Sequence, residues 1–233
     1  MKQLLETGFS AMHLTVLDAQ IAQLQDFTAR MLETNKVMNL TRITEPQEIA
    51  QKHLLDCASL LQAADFHDKQ VIDIGCGAGF PGMPLRILCP TCRLTLLDSL
   101  KKRIQFLATC IDGMQLDNTE AVHARAEEFA ATHRESYDIA VSRAVAQLNV
   151  LVELSLPLVK QGGMFIAMKS TESDAEIQQA RHAIAVLGAE IEEIVDYTIP
   201  QTDITHRLVV IRKKKQTPPQ YPRPFRKISA RPL

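Results

Sequence analysis

Apolar positions change rhythm about a quarter of the way along this chain. In the first part Leu17, Ile21, Leu24, Phe27 and Met31 recur every three or four residues, which predicts a helix running from a Thr15/Asp18 capping box to about Asn35. A polar turn, Asn39-Leu40-Thr41-Arg42, leads to Pro46 and a second helical stretch ending near Leu61. From Gln70 onward, strand-length apolar runs alternate with helix-length segments. Strands are predicted near 70–75, 94–98, 119–124, 137–142 and 163–169, and helices near 81–89, 101–112, 126–133, 147–159 and 173–187. Gly113 and Gly188 stand where helix C-caps belong, and Ser173 with Glu176 forms another capping box. Two last strands, near 191–198 and 207–212, follow each other without a helix, as a closing hairpin. The prediction is an α/β fold: a doubly wound, mostly parallel seven-stranded sheet with an antiparallel end and an N-terminal helical extension. The expected divisions are 1–65, 66–212 and a tail, 213–233.

The junction of the first strand and helix reads Asp73-Ile74-Gly75-Cys76-Gly77-Ala78-Gly79-Phe80-Pro81-Gly82. Glycines at 75, 77 and 79 permit positive φ and close backbone approach, and the helix that follows offers unpaired N–H groups to a small anion. A dinucleotide loop needs glycine at its first, third and sixth positions, and the sixth here is Phe80. The string is similar instead to the first motif of S-adenosyl-L-methionine (SAM) methyltransferases, a Rossmann-like class. Asp98 closes the next strand, where such folds place the carboxylate that takes the ribose hydroxyls.

Other residues gather at the C-terminal ends of the predicted strands, where open α/β sheets bind ligands. Arg143, in Ser142-Arg143-Ala144, follows the fourth strand. Enzymes that methylate exocyclic amines carry an (Asp/Asn)-Pro-Pro-aromatic loop there, and its absence favours an acceptor that is already nucleophilic. After the third strand, Glu127 is placed to accept from an adenine amine with the Ala126 backbone lining the ring; an acid in a first helical turn explains the same residue. Lys169 ends the fifth strand and faces the same crevice. His53 and Asp56, three apart on a presumed helix, fit either a general-base dyad or a structural contact. Cys89-Pro90-Thr91-Cys92 has no second pair for zinc and does not start a helix, so it carries no metal or redox assignment.

Composition narrows the class. With 46% hydrophobic and 23% charged residues, five cysteines and no long apolar run at the start, a cytoplasmic globular protein without membrane attachment is expected. The net charge of −1 hides an asymmetry: residues 212–233 hold eight Lys and Arg and no acid, leaving 18 bases against 27 acids in residues 1–211. The tail also holds five of the eleven prolines, so it is expected to be extended and mobile, either solvated or bound to a polyanion.

Together these segments resemble the bacterial glucose-inhibited division protein B family, the 16S ribosomal RNA guanine-N7 methyltransferases. The resemblance rests on Asn35-Lys36-Val37-Met38-Asn39-Leu40-Thr41, His53-Leu54-Leu55-Asp56, the glycine loop 73–82, Asp98-Ser99 with Lys102-Arg103 and Phe106-Leu107, Ser142-Arg143-Ala144, and His206-Arg207-Leu208-Val209-Val210-Ile211. Thr34 and Ser170 depart from the Trp and Gly often found in the family. The resemblance implies SAM as cofactor, 16S rRNA or the small ribosomal subunit as partner, and SAM contacts at Gly75, Phe80, Ala126, Glu127 and Arg143. Gly77, Gly79 and Asp98 join this cofactor set from the loop reading. No metal is expected, and the protein is expected to act as a monomer. Guanine N7 has a lone pair and no proton, so no catalytic acid or base is assigned and Arg143 is given a positioning role. A small-molecule methyltransferase, a nicotinamide-dependent reductase and a non-enzymatic RNA-binding module are the competing readings.

Overall fold

In the computed structural model, which describes residues 1–143 and 145–233, seven strands form one sheet. They are β1 (Gln70–Ile74), β2 (Arg93–Asp98), β3 (Thr119–His123), β4 (Tyr137–Arg143), β5 (Val159–Ser170), β6 (Ala189–Thr198) and β7 (Thr205–Lys213). Their order is β3-β2-β1-β4-β5-β7-β6, with β7 antiparallel to both neighbours and all other pairs parallel. Among the described residues, no helix is long and apolar enough to cross a membrane.

The helices are α1 (Lys2–Ala11), α2 (Asp18–Met38), α3 (Pro46–Ile49), α4 (Asp56–Ala58), α5 (Leu60–Ala63), α6 (Gly82–Leu88), α7 (Lys101–Met114), α8 (Ala126–Phe129), α9 (Leu148–Ser155), α10 (Asp174–Val186) and α11 (Phe225–Ala230). A π-helical stretch, Ala50–Leu55, joins α3 to α4.

The period-2 alternation of the strands divides the core in two. Val71, Leu94, Leu96, Ile139, Val141, Ile166, Met168, Leu208 and Val210 face one side, where Leu5, Phe9, Leu24, Phe27 and Leu55 of the N-terminal helices cover them. Ile72, Ile74, Leu97, Ala140, Phe165, Ala167, Val209 and Ile211 face the other, against Leu151 and Val152 of α9 and Ile177, Ala180 and Ile184 of α10. The N-terminal extension is therefore the cover of one sheet face. Within the extension, Gly8 lets α1 pack closely on the π-helical stretch, because a Cβ there would stand 2.4 Å from Leu55 Cδ1.

Several local expectations are corrected. A separate helix, α1, precedes the one expected from Thr15 to about Asn35, and α2 starts at Asp18 with Leu17 as its N-cap; Gln20 Oε1 accepts from Leu17 N (2.9 Å), so the Thr15/Asp18 box does not form. Gly113 lies inside α7, which ends on Gln115 in the left-handed region, and the missing Cβ of Gly113 makes room for the Arg30 guanidinium. Ser173 does cap α10 by position, but its buried hydroxyl has no partner among the described residues, and the Glu176 carboxylate is engaged instead by Lys169 Nζ and the backbone N–H of Leu148, so the box does not form. Gly188 sits after α10 at φ +82, as its place predicted.

The tail does not hang free. Lys213, fully buried at the end of β7, donates from Nζ to the carbonyls of Leu156 (2.6 Å) and Val159 (3.2 Å) and pairs with Glu135 (3.2 Å). Arg134 donates to the carbonyls of Thr217, Pro218 and Tyr221. Arg223 clamps the buried Glu153 with Nε to Oε1 (2.8 Å) and Nη2 to Oε2 (2.6 Å). α11 then buries Ile228 against Val150 and Leu154. Four of the eight bases read as free for a polyanion, namely Arg212, Lys213, Lys214 and Arg223, are held in ion pairs with acids of the body. Glu153 is fully buried and Glu135 largely so, whereas Glu190 and Glu192 are exposed.

Candidate active site

The strand order reverses direction between β1 and β4, and two neighbouring cavities open at the C-terminal ends of these strands. The first, about 150 Å³, is lined by Gly75, Asp98, Ser99, Ala126, Glu127, Val145 and Phe225 among others. The second, about 440 Å³, is lined by Lys52, His53, Asp56, Arg143, Lys169 and His206, with Ile43, Met168 and Ile204. Because Arg143 faces the second cavity and Val145 the first, the end of β4 runs between them. Ser142 fixes that end by donating to Ile74 O at 2.8 Å. Ala144 lies outside the described residues.

The glycine loop forms the floor of the first cavity. Gly75, Gly77 and Gly79 have φ of +70, +58 and +98, and at Gly75 a Cβ would stand 2.6 Å from Val145 Cγ2. Asp98 holds the loop: its Oδ2 accepts from Gly77 N (3.0 Å) and from Arg103 (3.4 Å), and its Oδ1 from Leu100 N (2.8 Å). A carboxylate has about four lone-pair sites, so Asp98 retains acceptor capacity toward the cavity. Asp73 sits beneath the loop and accepts from Gly82 N at 2.8 Å, while its buried Oδ1 has no partner among the described residues. Burial pushes the Asp73 carboxyl up to about 7. Glu127 accepts from Arg125 Nε at 2.7 Å.

A cluster that no local spacing announces dominates the second cavity. Asp56, 1% exposed, accepts from Arg143 Nη1 (2.9 Å), Tyr197 Oη (2.7 Å) and His206 Nδ1 (2.8 Å). Burial drives the Asp56 carboxyl up, but the hydrogen bond from His206, the Arg143 charge and the Tyr197 hydroxyl outweigh it and hold the group below the usual carboxylate range. The same bond raises the His206 imidazole. Arg143 also donates to Lys52 O (3.0 Å), and its guanidinium lies 5.2 Å from the Phe80 ring centroid. Phe80 in turn stacks on His53 with ring centroids 4.4 Å apart. Lys169 faces this cavity too, but Glu176 and the carbonyl of Ala146 (2.7 Å) hold its ammonium.

His53 and Asp56 are not bonded to each other, so the dyad does not form and the structural contact does, through Arg143. Arg143 Nη2 lies 3.1 Å from His53 Nδ1 and Thr41 Oγ1 lies 3.1 Å from Nε2. Nδ1 thus sits between a donor, the Arg143 guanidinium, and an acceptor, Lys52 O at 3.1 Å, while Nε2 meets a hydroxyl that can play either role. Asn35 Oδ1 accepts from Thr41 N (2.8 Å), so the Asn35–Thr41 segment supports His53, which supports Arg143.

This neutral imidazole sets a pH dependence. Burial, followed by the Arg143 charge, lowers His53 from 6.5 to about 4. Between those values the unfolded chain binds the proton and the native protein does not, so stability falls as pH falls from 6.5 toward 4, by about 3 kcal/mol in all. His53→Gln lacks this loss. Urea unfolding at pH 7 and pH 4 is expected to show the wild type losing about 3 kcal/mol more than the variant over that range; parallel losses would refute the assignment.

The sequence-predicted residues thus divide between two places. Gly75, Asp98, Ala126 and Glu127 line the first cavity, with Gly77 and Gly79 forming the loop behind it. Arg143 lines the second cavity, and Phe80 packs beside it under His53 and Phe27. Among the described residues, no group of three or more His, Cys, Asp or Glu is placed to hold a metal ion.

Comparison with known proteins agrees with this architecture. The family model GidB, described as rRNA small subunit methyltransferase G, matches residues 20–205. A ribosomal RNA small subunit methyltransferase G from Alkaliphilus metalliredigens is 48% identical over 225 residues, covering 95% of this chain and 94% of its own. One from Clostridium botulinum is 45% identical, covering 94% and 93%. Among solved structures, M. jannaschii TYW2 in complex with AdoMet superposes with a TM-score of 0.56 at 12% identity, over 73% of this chain and 77% of that one. The precorrin-6y C5,15-methyltransferase from Geobacter metallireducens gives 0.51 at 15%, over 68% and 86%.

Proposed function

The chain belongs to the rRNA small subunit methyltransferase G family, and from that premise we propose that it transfers the methyl group of SAM to N7 of one guanine in 16S rRNA of the small ribosomal subunit. SAM is the methyl donor of this family. The residues of the first cavity fit that donor. The glycine floor admits its amino-acid end, and Asp73, with an unpartnered carboxylate oxygen, is an acceptor for the ammonium. Asp98 takes the ribose hydroxyls, and Glu127 with the Ala126 backbone receives the adenine.

The guanine enters the second cavity. The observation that carries this reading is the pair of cavities flanking the end of β4, the second one rimmed by the donors Lys52, Arg143 and His206. These suit the O6 acceptor of guanine and flanking phosphates. N7 is already nucleophilic, and both nitrogens of His53 and both oxygens of Asp56 are occupied by neighbours. No general base is therefore assigned; the residues align N7, the methyl carbon and sulfur, and alignment of that kind is worth several kcal/mol. The base is splayed from its stack, because an A-form major groove is too narrow to admit the enzyme. The protein acts as a monomer in the cytoplasm, with 1–65 and 213–233 packed on the 66–212 catalytic domain.

The test is to incubate the protein with isotopically labelled SAM and undermethylated small subunits and to map the label by mass spectrometry. Label on N7 of a single 16S guanine is expected; label on an exocyclic amine or a ribose oxygen would overturn the acceptor assignment.

A further inference from the structure

Phe225 is a large aromatic side chain left 37% exposed. It is the first residue of α11, in a segment whose composition predicted a mobile tail, yet its ring lines the same cavity as Gly75, Asp98, Ala126 and Glu127. Its placement is built from both sides. Upstream, Arg223 is clamped on Glu153, which is fully buried, and also donates its backbone N–H to Glu153 Oε1 at 2.9 Å. Downstream, Ile228 is fully buried between Val150 and Leu154 of α9. The Arg125 guanidinium lies 4.5 Å from the Phe225 ring centroid and, through its bond to Glu127, ties the ring to the cavity wall. These anchors fix the backbone on each side of a residue that itself gains little burial.

We propose that Phe225 is a cofactor-binding residue: the C-terminal segment folds back to stack this ring on the adenine of SAM, closing the first cavity from above. The inference rests on the reading of that cavity as the SAM site. Adenine offers a flat π face, and the cavity holds acceptors for its edge but, among the described residues, no other aromatic ring for its face. Stacking between a base and an aromatic side chain tolerates small shifts and strengthens where water is excluded. The segment's aromatic residue thereby serves the cofactor rather than the RNA, as its basic residues Lys213 and Arg223 serve the body.

The chain contains no tryptophan, which makes the test direct. Phe225→Ala is expected to weaken S-adenosylhomocysteine binding on the order of 10- to 100-fold by calorimetry, with rRNA affinity and thermal midpoint unchanged. Phe225→Trp supplies a lone indole whose emission is expected to be quenched by S-adenosylhomocysteine and by adenosine, and not by methionine. Wild-type affinity in Phe225→Ala, whether or not RNA binding weakens, would overturn the proposal. So would unchanged indole emission in Phe225→Trp at a ligand concentration that calorimetry shows to be saturating. A wild-type protein that binds no S-adenosylhomocysteine would instead sink the reading of the cavity itself.

Discussion

Arg143→Ala is expected to lower methyl transfer on the order of 100-fold or more and to destabilise the fold by about 3 kcal/mol, with a much smaller effect on SAM affinity. The guanidinium donates one bond to the Asp56 carboxylate and others to Lys52 O and His53, all charge-assisted because the donor is ionised, and it lies over the Phe80 ring. Its removal leaves Asp56 buried with only Tyr197 and His206, and removing one partner of a buried pair is costly because the other charge stays behind. Activity is expected to suffer separately from stability, because Arg143 lines the second cavity at the end of β4. Arg143→Lys is expected not to rescue turnover, since an ammonium cannot serve Asp56, a carbonyl and an imidazole in one plane. Single-turnover transfer at saturating SAM, beside urea unfolding, separates the two losses. Wild-type single-turnover rates in Arg143→Ala would remove the residue from the site.

The strands, both acids of the glycine loop and the antiparallel end were legible because each depends on neighbours in sequence: a period-2 run, a strand-end carboxylate, two strands without a helix between. The Asp56 cluster was not. Its members, Asp56, Arg143, Tyr197 and His206, come from a helix, β4, β6 and β7, and span 150 residues; only the docking of the N-terminal helices on the sheet brings them together. His53 and Asp56 showed the right spacing for a shared face, but their common partner lies in β4. Apart from the Thr15/Asp18 box, which loses to the local Gln20–Leu17 bond, the failed local signals share one cause, competition from a tertiary partner. Glu176 leaves its capping role for Lys169 and Leu148 N, Gly113 makes room for Arg30, and the basic tail is drawn onto Glu135 and Glu153. A run of Lys, Arg and Pro predicts disorder only while no buried acid awaits it, and sequence order does not disclose which acids will be buried.

Asp98→Ala is the variant expected to strike cofactor binding hardest, weakening SAM affinity on the order of 100- to 1000-fold. Two effects combine. On the proposed reading the carboxylate accepts from the ribose hydroxyls, and a hydrogen bond to a charged group contributes about 1.5–3 kcal/mol. The same carboxylate accepts from Gly77 N and Leu100 N, so its loss also frees the glycine floor and the turn that begins α7. Asp98→Asn separates these contributions: its single carbonyl oxygen can serve one backbone N–H but not both N–H groups and the ribose, so an intermediate affinity is expected. The fold is expected to persist in both variants, because Asp98 lies at the end of β2 and its removal leaves the sheet and both core faces in place. Calorimetric titration with S-adenosylhomocysteine checks the ranking, with far-ultraviolet circular dichroism as the control for folding. Equal affinity in wild type and Asp98→Ala would mean that the donor does not occupy the cavity between β1 and β2. Asp98 would then be a loop brace alone, and the glycine loop would have to hold a different ligand.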